Sequence, residues 1–303
     1  MAFEKIRGNE KVKELLKSAI QNHNILHSYL FIGPDGIGKS LIAKKFAQMI
    51  LCEEEKDEKK PCHSCKSCLE MESNNHPDFL QINSEDGKSI KIEQVRFLQE
   101  KIAEKPVIST KKVYVINDCD LMTREAANSL LKTLEEPPIY ATLILITSNE
   151  SKLLTTIKSR CVKVSFEPIK NETIMQYLKE NELDTDMTEN MIKMCEGSIG
   201  KALKVQQRKE DYAKLEELIK YLPKTDITDI WKNADVLYKA KENIMELLDY
   251  INIILYNQLY QNKKMAGINA IHIVEETKKR ILSNSNYDMS IDYLLLKLWE
   301  ELS

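Results

Sequence analysis

No stretch of the 303 residues approaches the roughly 20 consecutive apolar positions that a helix needs to cross a bilayer. The first residues, Met-Ala-Phe-Glu-Lys, lack the apolar core of a secretory signal. The expected compartment is therefore the cytoplasm, with no membrane partner. An excess of either charge is also missing. Lys and Arg number 44 against 47 for Asp and Glu, a formal net charge of −3, so the chain as a whole exerts no broad attraction on nucleic acid. No basic stretch is interleaved with aromatics, which argues against a free-standing zinc-dependent DNA-binding module. Internal repeats are absent, and the only low-complexity run is the charged stretch 53–60, read as a solvated loop. The seven cysteines are odd in number and clustered, which argues against the disulfide framework of a secreted protein. What remains is an intracellular-type chain with room for two or three domains.

The strongest positive signal is Gly33-Pro34-Asp35-Gly36-Ile37-Gly38-Lys39-Ser40, a G-x-x-x-x-G-K-S phosphate-binding loop. Its context is the one the motif requires. Residues 28–32 read as a short buried strand, and residues 41–51 carry apolar positions at helical spacing. Gly33, Gly36 and Gly38 let the backbone turn its N–H groups inward around an anion. The helix N-terminus adds partial positive charge. Lys39 is placed to reach terminal phosphates, and the Ser40 hydroxyl to ligate magnesium. The expected ligand is ATP or ADP with Mg2+.

Cys52, Cys62, Cys65 and Cys68 follow a C-x9-C-x2-C-x2-C pattern around the charged loop. Two-residue spacing lets neighbouring thiolates bend toward one tetrahedral centre, and Cys52 closes the fourth position. Four sulfurs leave no open site, so the expected metal is structural zinc. His63 and His76 lie near but are unnecessary as ligands. Cys119, Cys161 and Cys195 read as small core residues.

Further strands are expected at 78–84, 113–116, 142–146 and 162–166. Helices are expected at 9–22, 92–103, 123–136 and 153–158. This alternation predicts a parallel α/β sheet with helices on both faces. The third strand runs into Asn117-Asp118-Cys119-Asp120. Nucleotide hydrolases of this class place an Asp at such a strand end to hold magnesium, and here the position is the neutral Asn117. Asp118 and Asp120 are open to two readings, compensation for the missing charge or simple loop caps. The fourth strand ends in Thr147-Ser148-Asn149, where polar groups face the crevice of a parallel sheet.

Four stretches together resemble one family. They are His27-Ser28-Tyr29-Leu30-Phe31 before the phosphate loop, the four-cysteine module, residues 126–138 (AANSLLKTLEEPP), and Ser159-Arg160-Cys161. The chain resembles the bacterial clamp-loader subunits of the AAA+ class over about its first half. The resemblance implies that Arg160 is an arginine finger, reaching in trans into a neighbouring subunit's ATP site. The chemistry suits it: a guanidinium is permanently charged and forks onto phosphate oxygens. Without the resemblance, Arg160 would read as a surface arginine in a loop.

The family's motor subunit carries an Asp-Glu pair after its third strand and a sensing arginine in a Gly-Ser-x-Arg setting. This chain reads Asn117-Asp118 and Gly197-Ser198-Ile199-Gly200, with Gly200 in the arginine's place. Lys201 is adjacent but projects roughly 100° away on a helix. These departures point to a non-hydrolysing subunit, with nucleotide occupation without turnover. The rival is an ATP-hydrolysing gamma/tau-type motor or another AAA+ ATPase. The expected organisation is an AAA+ domain over 1–167 with the zinc module at 52–68, a small helical lid over 168–207, and an all-α collar over 208–303. In the long pattern 240–265, Tyr250, Tyr256 and Tyr260 read as core or interface positions. A last helix is expected at 293–302. The collar is equally readable as a self-contained bundle. The partners implied by the resemblance are motor (gamma/tau) and delta subunits, with the sliding clamp and primed DNA met through the assembly.

Overall fold

The computed structural model describes residues 3–4, 6–84, 88–183, 185–262 and 266–303. Met265, where the periodicity ends the long helix, lies outside them, as do the side chains of Leu259 and Tyr260. The chain divides into two compact units, Met1–Ile174 with Ser198–Gly200, and Met175–Gly197 with Lys201–Ser303.

In the first unit the elements run α1 (Glu10–Gln21), β1 (Ser28–Ile32), α2 (Lys39–Leu51), α3 (Lys66–Glu72), β2 (Phe79–Ile82) and α4 (Ile92–Ala103). Then follow β3 (Lys112–Ile116), α5 (Arg124–Glu135), β4 (Ala141–Thr147), α6 (Thr155–Lys158) and β5 (Val162–Ser165). The five strands form one parallel sheet in the order β2-β3-β4-β1-β5. The near-continuous apolar runs of β3 and β4 follow from burial on both faces. Val113 and Val115 of β3 join Ile144 and Ile146 of β4 on the face covered by α1 and α2. Tyr114 and Ile116 join Leu143 and Leu145 on the face covered by α4 and α5. The sequence expectation of a doubly covered parallel sheet holds.

Two buried charged residues fasten this unit. Lys112 is only 2 % exposed, and its ammonium donates to the Lys101 and Glu104 carbonyls at 2.8 and 3.0 Å. A cation thus closes the carboxyl end of α4, where unpaired carbonyls carry partial negative charge. The carboxylate of Asp78, also buried, accepts the N–H groups of Val107, Ile108 and Ser109 at 2.8, 2.8 and 2.9 Å.

The helix-only second part comprises α7 (Asn171–Glu180), α8 (Glu189–Met194), α9 (Ile199–Gln207), α10 (Lys209–Tyr221), α11 (Asp235–Tyr238), α12 (Ile244–Asn262), α13 (Ala266–Leu282) and α14 (Tyr287–Leu302). The first four residues of α7, and Ile199 and Gly200 of α9, fall within the first unit's bounds. The last helix starts earlier than apolar periodicity indicates, because the Asn286 side chain caps it by accepting from Met289 N. Helix α13 was not anticipated from periodicity. Tyr250 is fully buried and bonds Glu216 at 2.5 Å, as a core reading requires, while Tyr256 is exposed. Among the described residues, no helix is long and apolar enough to cross a membrane.

Replacing Asp78 by Asn removes a charged acceptor and leaves buried N–H groups poorly paired. Asp78→Asn is expected to lower unfolding free energy by about 2–3 kcal/mol, read from the urea midpoint at unchanged slope.

Candidate functional site

The sheet order puts the carboxyl ends of β1, β4 and β3 side by side, and three loops meet there. The phosphate loop leaves β1, is pinned by Gly33 N–H to the Thr147 carbonyl at 3.3 Å, and enters α2 at Lys39. Lys39 is buried, and its ammonium donates to the Gly33 and Pro34 carbonyls at 2.6 and 2.7 Å, with Asp35 at 3.7 Å. Burial pulls its pKa below the ordinary lysine value, against the attraction of Asp35, Asp118 and Asp120. Among the described residues, the N–H groups of Asp35, Gly36, Ile37, Gly38, Lys39 and Ser40 donate to no protein acceptor. A run of unpaired donors at a helix N-terminus is a concave anion receptor. The residues present fit the phosphates of a nucleotide.

The magnesium side is different. Asn117 stands opposite Ser40, its amide nitrogen 3.4 Å from the Ser40 hydroxyl and 2.6 Å from Asn83 Oδ1. Its Oδ1 is buried with no protein donor, a polar gap that a water beside a bound ligand suits. The two nearby acids are engaged: Ser84 donates to Asp118 at 3.1 Å, and Thr147 donates to Asp120 at 2.6 Å. Ser148 is exposed. The Asn149 amide oxygen accepts from Ser151 N and Oγ at 3.1 and 2.5 Å, capping a short turn. Thr147, fully buried at the end of β4, is the strand-end residue that joins the loops.

Gly200 packs against the loop itself. Its N–H donates to the Gly36 carbonyl at 3.0 Å. A Cβ at Gly200 would lie 2.9 Å from Gly36 Cα, so no longer side chain fits there without moving backbone.

The four cysteine sulfurs lie within 4.8 Å of one another, near the roughly 3.8 Å edge of a tetrahedral Zn–S4 centre. Backbone N–H groups of Cys62, Cys65 and Cys68 point at the sulfurs of Cys52, Cys62 and Cys65 at 3.3–3.4 Å. Hydrogen bonding to Cys68 pulls the Cys52 thiol down to about 5 and pushes the Cys68 thiol up. The donor set fits zinc. The module is tied to the sheet by a buried chain. His76 Nδ1 accepts from Asp78 N at 3.0 Å, so Nε2 carries the proton and donates to Ser67 at 2.8 Å. Ser67 and Ser109 both donate to the Leu51 carbonyl, at 2.6 and 2.7 Å.

Arg160 follows α6 and is held at both ends. Ser28 Oγ donates to its carbonyl at 2.6 Å. Its guanidinium pairs with Glu135 at 2.5 Å and donates to the Thr156 carbonyl at 2.9 Å. The side chain remains 32 % exposed, so the pair adds little stability but leaves an accessible cation. A cavity of about 640 Å3 lies elsewhere, among α10, α11 and α12, with acidic and basic side chains mixed in its lining.

Burial lowers the His76 pKa from its ordinary 6.5. The unfolded chain then binds the proton more tightly, so His76 contributes stability that is lost as pH falls below about 6.5. The urea midpoint is expected to fall more for the wild type than for His76→Gln between about pH 7.5 and 5.5.

The sequence model of the family described as "DNA polymerase III, delta subunit" matches residues 8–170. The delta-prime subunit of Bacillus subtilis DNA polymerase III is 32 % identical, with 96 % of each chain covered. The tau/gamma subunit of Haemophilus influenzae is 34 % identical over 58 % of this chain, which covers 25 % of that relative. Among solved structures, a gamma-subunit-related protein of Thermotoga maritima superposes with a TM-score of 0.53 at 19 % identity, covering 96 % of this chain and 99 % of that one, a likeness of fold. The chain belongs to the clamp-loader family of DNA polymerase III subunits, in its delta-prime branch.

Proposed function

We propose that this chain is the stator of a clamp-loader assembly, a rigid end subunit that binds nucleotide without turning it over and donates Arg160 in trans. The observation that carries the reading is the pairing of an intact phosphate cradle with Asn117 and Gly200. A hydrolysing site of this family would place a carboxylate and an arginine there. The loop N–H groups would hold the phosphates, with Lys39 beside them, and Ser40 would offer its hydroxyl to magnesium. Bound magnesium would neutralise phosphate charge. Asn117 supplies a neutral amide where a carboxylate would hold magnesium, and Asp118 and Asp120 each accept one hydrogen bond, from Ser84 and Thr147.

The Arg160 guanidinium is half-buried and held by Glu135 and the Thr156 carbonyl. On this reading it stabilises charge spreading onto the transferred phosphoryl in the motor (gamma/tau) subunit's site. The delta subunit, the sliding clamp and primed DNA are the remaining partners of the assembly, which acts in DNA replication. Residues 168–207 serve as the small lid, and residues 208–303 join the collar. Zinc at Cys52, Cys62, Cys65 and Cys68 staples an excursion of the first domain.

The test is ATP turnover by the purified chain, alone and with motor subunit, clamp and primed DNA. The chain alone is expected to be inactive and to raise the assembly's turnover. Arg160→Ala should remove that gain by about 10^3-fold or more. Turnover by the chain alone, abolished by Lys39→Ala, would instead make it an ATPase in its own right.

Elemental analysis is expected to find about one zinc per chain, lost in Cys65→Ala together with heat stability. Fully folded, metal-free wild type would refute the zinc centre.

A further inference from the structure

The contact between Gly200 and the phosphate loop does more than exclude a longer side chain. Ser198–Gly200 belong to the same compact unit as the loop, and the bond runs from Gly200 N–H to the Gly36 carbonyl at 3.0 Å. The Gly36–Ile37 peptide is trans, since the one cis bond recorded among the described residues is Lys60–Pro61. In a planar trans peptide the carbonyl and the following N–H point in opposite directions. Anchoring the Gly36 carbonyl to Gly200 therefore turns the Ile37 N–H away from Gly200. That N–H has no protein acceptor among the described residues. Without that anchor the peptide would be less tightly held, because one of its two flanking torsions, ψ of Gly36, belongs to the least restricted residue.

We propose that Gly200 is a positioning residue of the phosphate cradle, locking the Gly36–Ile37 peptide with its N–H aimed at the anion. The ligand class is a nucleoside di- or triphosphate, and the inference rests on reading the loop as a nucleotide site. Both partners must be glycine for the backbones to meet. A Cβ at Gly200 would lie 2.9 Å from Gly36 Cα and 3.1 Å from Gly36 O. A Cβ at Gly36 would collide with Ser198 Oγ and lie 3.1 Å from Gly200 Cα. The two positions differ in one useful respect. Gly36 has φ +72°, a conformation that L side chains avoid, whereas Gly200 is not among the positive-φ residues. Alanine at 200 is therefore unstrained in itself and favoured in a helix. Its one penalty is displacement of the Gly36 backbone. That separates cradle geometry from folding.

The experiment is calorimetric titration of the full-length chain with ADP, for wild type, Gly200→Ala, Gly200→Ser and Lys204→Ala. Lys204 is an exposed residue of α9 and serves as the control. Gly200→Ala and Gly200→Ser are expected to bind ADP about tenfold or more weakly, as loss of a charge-assisted N–H bond implies. Any fall in their thermal midpoints without ADP should leave the chain fully folded at the titration temperature, so that the lost affinity belongs to the folded protein, and Lys204→Ala should bind as wild type. A fall in the midpoint with no fall in the affinity of the folded protein would mean a merely structural contact and overturn the proposal. Wild-type affinity in both Gly200 variants would overturn it as well, leaving the nucleotide reading intact. No ADP binding by the wild type would remove the nucleotide reading, and this inference with it.

Discussion

Thr147 sits where the first unit's loops have to agree. It is fully buried at the carboxyl end of β4, between the ends of β1 and β3. Its carbonyl holds the Gly33 N–H, its hydroxyl donates to Asp120, and the same oxygen accepts from Asn149 N. A buried hydroxyl must satisfy its hydrogen-bonding capacity or cost stability. Here each of its bonds fastens a different loop: the phosphate loop, the acidic loop after β3, and the turn after β4. The consequence is chemical as well as mechanical, because the Thr147 hydroxyl fixes one oxygen of the Asp120 carboxylate and so orients the acid beside the phosphate loop.

The cysteine module is fastened in a comparable way. Cys52 directly follows α2, and Cys68 lies within α3. The carbonyl of Leu51, beside Cys52, receives two serine hydroxyls, one from α3 and one from the segment that Asp78 holds by three N–H groups. His76 links Ser67 to the Asp78 backbone in a single tautomer. The sulfur cluster is thus an extension of the sheet's hydrogen bonding. A metal there would rigidify α2 and α3 together, and α2 is the helix that the phosphate loop opens. The loop and the cysteine cluster stand at opposite ends of that helix.

Arg160 shows how a surface ion pair of small energetic worth can still have consequence. Its carbonyl is tied to Ser28 at the start of β1, and its guanidinium to Glu135 at the end of α5. An arginine loses much rotamer freedom when it engages an anion. One that is already held by a carboxylate and a carbonyl has surrendered part of that freedom beforehand.

Local sequence determined a great deal here. The glycine spacing of residues 33–40, the two-residue spacing of three cysteines, and the uninterrupted apolar runs of β3 and β4 each report a constraint that acts within a few residues of chain. They sufficed for the doubly covered parallel sheet, the anion-binding loop and the four-sulfur cluster. Helix α13 and the early start of α14 were less legible, since the first lacks a clean apolar stripe and the second is set by an Asn286 cap outside the periodic pattern. What only the tertiary structure decided is who meets whom across long separations. Asn117 faces Ser40, Asp120 accepts from Thr147, Glu135 holds Arg160, and Gly200 donates to Gly36. None of these pairings has a signature in spacing, because each depends on strand order and on the direction of loops leaving the sheet. Gly200 is the clearest case. In sequence it is a missing arginine; in the fold it is the only residue small enough to let two backbones touch.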